Sequence, residues 1–316
     1  MALTARPLIA AGVAALGLGL VTASPPAPTP SGVVAPDVYL TAADGGVVSL
    51  WASVLDRSLT NFTNLGTAAL NPPLPILQQV LTNQVQFTQE FLQNPAAIVG
   101  IVEQVWDNLK AAVNAPFAQP DLSNLDTLQT VAYHALSGLM SDIVPNNPEL
   151  GQKLLDFSTT SLSGWLVGEL GTVVSPLVEL STSVEAIVDA GRDGDWQGVL
   201  ADLLELPAHV VDGYLNGAGT IDLTALLANL DIPVITIRSA DIELPGLLSY
   251  GGSIFGSINA DVCGGSLPIV GCVLPINLTG TESGPLGSMI DIGHDIAQAL
   301  GWDGIGNPID ALIGAP

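Results

Sequence analysis

The chain has 316 residues, 6 basic and 30 acidic, for a formal net charge of −24. Nucleic-acid binding is dominated by cationic contacts to phosphate, so that partner class is excluded, and there is no basic patch for anionic lipid headgroups. Only 11% of residues are charged and 48% are hydrophobic; this excludes disorder, and implies either an unusually uncharged surface or apolar surface that meets lipid or a partner subunit.

The chain opens MALTARPLIAAGVAALGLGLVTA. Arg6, the apolar run Leu8 to Val21 and the small residues before Ala23 have the layout of a secretory signal peptide over residues 1–23. The run is short and glycine-rich for a spanning helix. Pro25, Pro26, Pro28 and Pro30 make residues 24–39 an extended linker.

Residues 40–230 carry helical periodicity. Pro75 opens a helix with Ile76, Leu77, Val80, Leu81, Phe87 and Phe91 near one face. Asn94-Pro95 starts the next, striped by Ile98, Val102, Val105, Trp106, Leu109 and Val113. A third runs from Leu122 to Ile143, with His134 on or beside its core-facing stripe. Asn147-Pro148 and Ser175-Pro176 read as the N-caps and first positions of two more. Asp195 caps a sixth, with Val199, Leu200, Leu203 and Leu204 facing the core and Pro207 kinking or ending it. The longest uncharged runs, Ser58 to Gln89 and Val262 to Thr281, are broken by Pro, Gly, Asn and Gln, so no second spanning helix is predicted.

Residues 231–284 change texture. Val234 to Arg238, Ile242 to Leu244 and Val273 to Leu278 are extended candidates. The chain's two cysteines, Cys263 and Cys272, flank Gly264, Gly265, Pro268 and Gly271, a tight loop or hairpin. Two sulfurs are too few for a closed zinc site, the spacing is not that of a redox pair, and export permits a disulfide. A structural Cys263–Cys272 disulfide is therefore expected, worth about 2.7 kcal/mol in the chain-entropy model. Residues 285–316 return to a helix, with Leu286, Met289, Ile290 and Ile296 as its buried side and a tail after Gly301. The predicted fold class is mainly α, a multi-helix array with a small disulfide-clipped β or irregular region near the C-terminus.

No segment carries a complete catalytic motif. Tyr250 to Gly256 misses the nucleophile elbow by one position. Asp193 to Gly198 half resembles a calcium loop, but Leu204 stands where the closing glutamate is needed, so an inter-helix turn is expected. His294, beside Asp291 and Asp295, reads as a solvated face, and His209 has no ligand-like spacing to the cysteines. Asn61-Phe62-Thr63 and Asn277-Leu278-Thr279 are glycosylation sequons. No catalytic, cofactor-binding or metal-ligating residues are assigned, no cofactor is expected, and an enzyme is not predicted.

Gly194-Asp195-Trp196-Gln197-Gly198-Val199, Asp212-Gly213-Tyr214-Leu215-Asn216-Gly217, Gly246 to Ser253 and Gly284-Pro285-Leu286-Gly287-Ser288 together resemble the actinobacterial GjpA-type outer-membrane porins. Related phrasing occurs in the C-terminal parts of mycobacterial PPE-like exported proteins. The resemblance implies a channel in a mycolate-type outer membrane, and the acidic balance would make it cation-preferring. The alternative is a secreted or surface-attached helical protein, an envelope scaffold or host-contact protein without channel activity. The shortage of alternating strands favours this alternative. The expected partners are outer-membrane lipids and further copies of the chain, with no nucleic acid; the expected location is the envelope or the exterior.

Overall fold

A computed structural model describes residues 46–117, 121–123, 125–228, 235–267 and 271–313, with backbone alone at 228, 264–267, 271–274 and 313. The predicted signal peptide and the whole predicted linker, residues 1–39, lie outside the described residues. The elements in order are α1 (Gly46–Ala69), α2 (Pro75–Gln93), α3 (Ile98–Asn114), α4 (Thr127–Gly138), α5 (Met140–Ile143), α6 (Pro148–Ser158), α7 (Ser161–Asp193) and α8 (Trp196–Asn216). Then follow β1 (Thr220–Asp222), α9 (Thr224–Ala228), β2 (Ile235–Glu243), β3 (Ile258–Leu267), β4 (Gly271–Leu278), α10 (Pro285–Ala299) and α11 (Asp310–Ile313). The chain is mainly helical with one small antiparallel sheet, strand order β1-β2-β3-β4.

The caps read from sequence form as expected. Asn94 accepts from the Ala96 amide, Asn147 from Leu150 and Asp195 from Gly198. Gly194, at φ 76°, ends α7 in the left-handed conformation, so Asp193 to Gly198 is the expected inter-helix turn. Other boundaries move. Asp126 and Gln129 form a capping box, so α4 starts at Thr127 rather than near Leu122. Ser175-Pro176 starts nothing: α7 runs through Pro176, and α8 through Pro207. The missing proline hydrogen bond is local, whereas α7 and α8 pack along each other, and that burial outweighs it. Strand also begins earlier than residue 231, because Thr220–Asp222 pairs with Asp241–Glu243.

The β3–β4 hairpin occupies the predicted loop region, with Cys263 opposite Pro275 and Cys272 opposite Ser266. Pro275 is tolerated because β4 is an edge strand. Cys263 is buried and is not a free thiol; the side chain of Cys272 lies outside the described residues.

The packing turns large apolar side chains outward, against the faces expected of α8 and α10. In α7, Gly164, Gly168, Gly171 and Ser175 face inward, while Leu166, Leu170, Val173, Leu177, Leu180, Val184 and Val188 are exposed. In α3 the apolar stripe read from the sequence lies outside, with Val102 at 61% exposure and Trp106 at 58%; Ile101 alone is buried. In α8, Leu200, Leu203 and Leu204 are exposed, and Ala208, Gly213 and Asn216 are buried. In α10 Met289 is exposed, and Pro285, Gly287, Ser288 and Ala297 form the buried side. His134 is exposed, set edge-on to Tyr133, rather than in a core.

Small side chains let backbones touch. A Cβ on Gly164 would stand 2.0 Å from the Gly252 carbonyl oxygen, and one on Gly287 2.1 Å from the Gly251 nitrogen. The loop between β2 and β3 is thereby wedged between α7 and α10. Buried hydroxyls and amides satisfy the enclosed backbone. Ser175 Oγ donates to the Leu244 and Pro245 carbonyls, Ser163 Oγ accepts from the Ile254 amide, and Gln129 Nε2 donates to the Gly256 and Thr279 carbonyls. At the end of α8, Asn216 joins Ser58, Asn61 and Asp212, and Arg57 donates to its carbonyl.

Candidate functional site

Three features of the described residues stand out: the outward apolar faces, an apolar groove, and a buried group of carboxyls on α10.

The α7 positions that face out recur at spacings of four and three over Leu166 to Val188. That is the pattern of a helix seam, and nothing in the described chain covers it. Val48, Leu55, Leu59 and Phe62 make a comparable line on α1. Among the described residues, α7 is also the one helix long and apolar enough to cross a membrane, by length and composition only. Counting uncharged runs missed it because Glu169 and Glu179 interrupt them. Its inward face is occupied, with Pro245, Gly252 and Pro285 pressed against it.

The groove lies between α2 and α10. It is lined by Leu74, Ile76, Leu77, Val80, Met289 and His294 and holds about 460 Å³. Leu74, at its edge, is held in the left-handed conformation at φ 51°, a costly state for a leucine that tends to mark functional positions. His294 Nε2 is enclosed without a hydrogen-bond partner, and burial pushes its pKa down, keeping it neutral. The solvated histidine face read from the sequence is therefore corrected.

The carboxyls are Asp291 and Asp295 with Asp121 nearby. Asp295 accepts from Ser161 Oγ at 2.7 Å. A side chain on Gly251 would meet Asp291 Oδ2 at 2.0 Å, so the glycine makes room for the acid. Asp121 Oδ2 is enclosed without a partner. Burial raises Asp291 to about 7, assisted by the charges of Asp295 and Asp121. Asp295 rises to about 6 for the same leading reason, with the Ser161 hydrogen bond opposing and Asp121 assisting. Among the described residues no three His, Cys, Asp or Glu side chains stand close enough to hold a metal ion. The adjoining hydroxyl, Ser161 Oγ, is fully buried and donates to Asp295; the group can hold protons and set stability.

Other residues singled out in the sequence lie apart. His209 faces Glu179 at 3.5 Å across the α7–α8 pair. Ser253, in the near-miss elbow, is fully buried and accepts from the Gly256 amide, a structural turn. Sequence reading missed the groove and the carboxyl burial. The signal was present in Gly287-Ser288 and Gly251-Gly252, pairs small enough to draw α10 against the loop.

The comparisons add one partial similarity. The chain is 30% identical over 115 residues to the PE-PGRS family protein PE_PGRS62 of Mycobacterium tuberculosis. The match covers 35% of this chain and spans 22% of that protein's length. No family model matches, so the porin resemblance has no matching family behind it. No solved structure matches.

Proposed function

We propose that the chain is an exported, non-enzymatic protein of a mycobacterial-type envelope that attaches to an uncharged lipid surface through the outward apolar faces of α1, α2, α3, α7 and α8. The observation that carries this is the unpartnered line Leu166 to Val188 on α7. Contiguous apolar surface of this kind is rare on solitary soluble proteins. The partial similarity to a mycobacterial protein supports the setting.

With 6 basic against 30 acidic residues, attachment rests on buried apolar area and works against anionic headgroups. In vesicle flotation, the chain is expected to rise with zwitterionic phosphatidylcholine vesicles. Adding about a third anionic lipid should weaken binding at low salt and less so at 1 M, where screening shortens to ~3 Å. Val173→Glu with Leu177→Glu should cut flotation at least tenfold while leaving the melting temperature unchanged. Equal flotation of that variant, or tighter binding to anionic vesicles, overturns the reading.

The channel reading is kept as the second, favoured by the length and apolar composition of α7. It requires copies to assemble with their apolar faces toward lipid, and it predicts cation-preferring conductance in planar bilayers. Export also predicts the Cys263–Cys272 disulfide. Non-reducing peptide mapping of protein from outside the cell should recover the linked peptides; alkylation of both thiols without reduction would exclude the bond.

A further inference from the structure

One face of α3 has the layout of half a helix pair. Ile101 is buried, and Gln104 and Asn108 line a cleft beneath the segment 300–311. Those three mark the side of α3 that is turned to the molecule. On the other side Val99, Val102, Trp106, Leu109 and Val113 recur at spacings of three and four, and all five are exposed. No described residue covers them. This is an a/d stripe, the narrow seam of a helix that packs along another helix. Trp106, at its middle, is the type of large aromatic that anchors protein interfaces.

The flanks of the stripe select the partner. On one flank stand Glu103, next to Val102, and Lys110, next to Leu109. On the other stand Val105, next to Trp106, and Ala112, next to Val113. Lys110 is one of 6 basic residues in the chain. Its Nζ lies 5.5 Å from the centre of the Trp106 ring and 2.9 Å from Asp107, so the charge already leans over the stripe. Two antiparallel copies of α3 interlock with Trp106 against Leu109 of the second copy and Val102 against Val113 of the second copy. Like flanks then face each other. Glu103 meets Lys110 of the second copy, twice by the two-fold symmetry, and Val105 meets Ala112. A parallel, in-register pair would set the charged flank against the apolar one and make no ion pair between copies.

We propose that α3 pairs antiparallel with α3 of a second copy of this chain, with Trp106 at the centre of the seam and the Glu103–Lys110 pairs along one edge. The charges set direction and register more than affinity, because an exposed ion pair is worth little. A helix of 17 residues offers a footprint of only ~25 Å by ~10 Å. That is short of what a stable complex buries, so the dimer is weak and reversible. The pairing uses no residue of α7 and stands without the lipid reading. Where the chain does attach to lipid, α3 has two alternative covers, a second copy in water and the lipid surface, and attachment competes with pairing.

The test is sedimentation velocity of the purified chain over a concentration series, without detergent, at 0.15 M salt, where the screening length is ~8 Å and only neighbouring charges count. A monomer–dimer equilibrium in the micromolar range is expected. Trp106→Glu should weaken it at least about tenfold at unchanged melting temperature. Glu103→Lys alone and Lys110→Glu alone should each weaken it about fivefold, since each sets like charges together twice. The two changes combined should restore the parental dimer, a recovery that the antiparallel register alone provides. The α7 variant Val173→Glu with Leu177→Glu should dimerise like the parent even where vesicle attachment is lost. A chain that stays monomeric at its highest soluble concentration, a combined charge variant no better than the single ones, or loss of the dimer in the α7 variant would overturn the pairing. A dimer that responds as described in a chain that fails to float with vesicles would uphold the pairing and strike the lipid reading alone.

Discussion

Gly164→Ala is expected to destabilise the fold by on the order of 3 kcal/mol. Elsewhere in a helix the same change helps, because alanine loses less conformational freedom than glycine, roughly 0.5–1 kcal/mol in its favour. At Gly164 the new methyl would stand 2.0 Å from the Gly252 carbonyl oxygen and 2.9 Å from Ser288 Oγ. A backbone carbonyl cannot swing aside as a side chain can, so the loop must leave α7. Gly168 and Gly171, where an added methyl would stand 2.5 Å from Pro285 and 2.4 Å from Pro245, should behave alike. Gly100→Ala, with nothing near its Cβ position, should be neutral or stabilising. Leu170→Ala and Val173→Ala, on the exposed face, should cost well under the ~2–5 kcal/mol of a core leucine. Denaturant midpoints of these variants measure the contrast directly. A Gly164→Ala protein as stable as the parent, together with a Leu170→Ala loss of core size, would mean that the faces are the other way round.

Stability is expected to be higher near pH 5.5 than at pH 8, the reverse of a protein held by ionised salt bridges. Asp291 is raised from its ordinary 3.8 to about 7 and Asp295 to about 6, and burial also raises Glu282. A carboxyl raised by folding contributes stability that is fully present below about 4 and lost as the pH climbs through its folded value. Each pH unit within that window is worth roughly 1.4 kcal/mol. Asp291 alone then loses on the order of 2 kcal/mol between pH 5.5 and pH 8, and Asp295 adds a smaller share. His294 opposes, since burial lowers its pKa and the stability it contributes is lost as the pH falls. That places the optimum on the weakly acidic side rather than at the acid extreme. The melting temperature should drop by about 5–10 °C from pH 5.5 to pH 8, at roughly 2–4 °C per kcal/mol for a domain of this size. Asp291→Asn should remove most of that dependence and raise the melting temperature at pH 8. A flat profile, or one rising toward pH 8, would show that these carboxyls are ionised in the fold.

The residues by themselves determined which segments are helical and how several of those begin. Asn94, Asn147 and Asp195 cap because a short polar side chain can reach the free amides of the first turn, a purely local event. The hairpin around Gly264 and Gly271 was legible for the same reason. Only the tertiary structure decided which face of each helix is inside. Periodicity groups Leu166, Leu170 and Val173 on one side and Gly164, Gly168 and Gly171 on the other, but it does not say which side finds a partner. Here glycine and serine win the interior, because they allow α7, α10 and the intervening loop to approach until backbone meets hydroxyl and carbonyl. The large side chains are left outside, with nothing among the described residues to cover them. The continuity of α7 through Pro176 and the burial of Asp291 were equally beyond local reading. Each depends on residues far apart in sequence being pressed together, and no spacing along the chain encodes that distance.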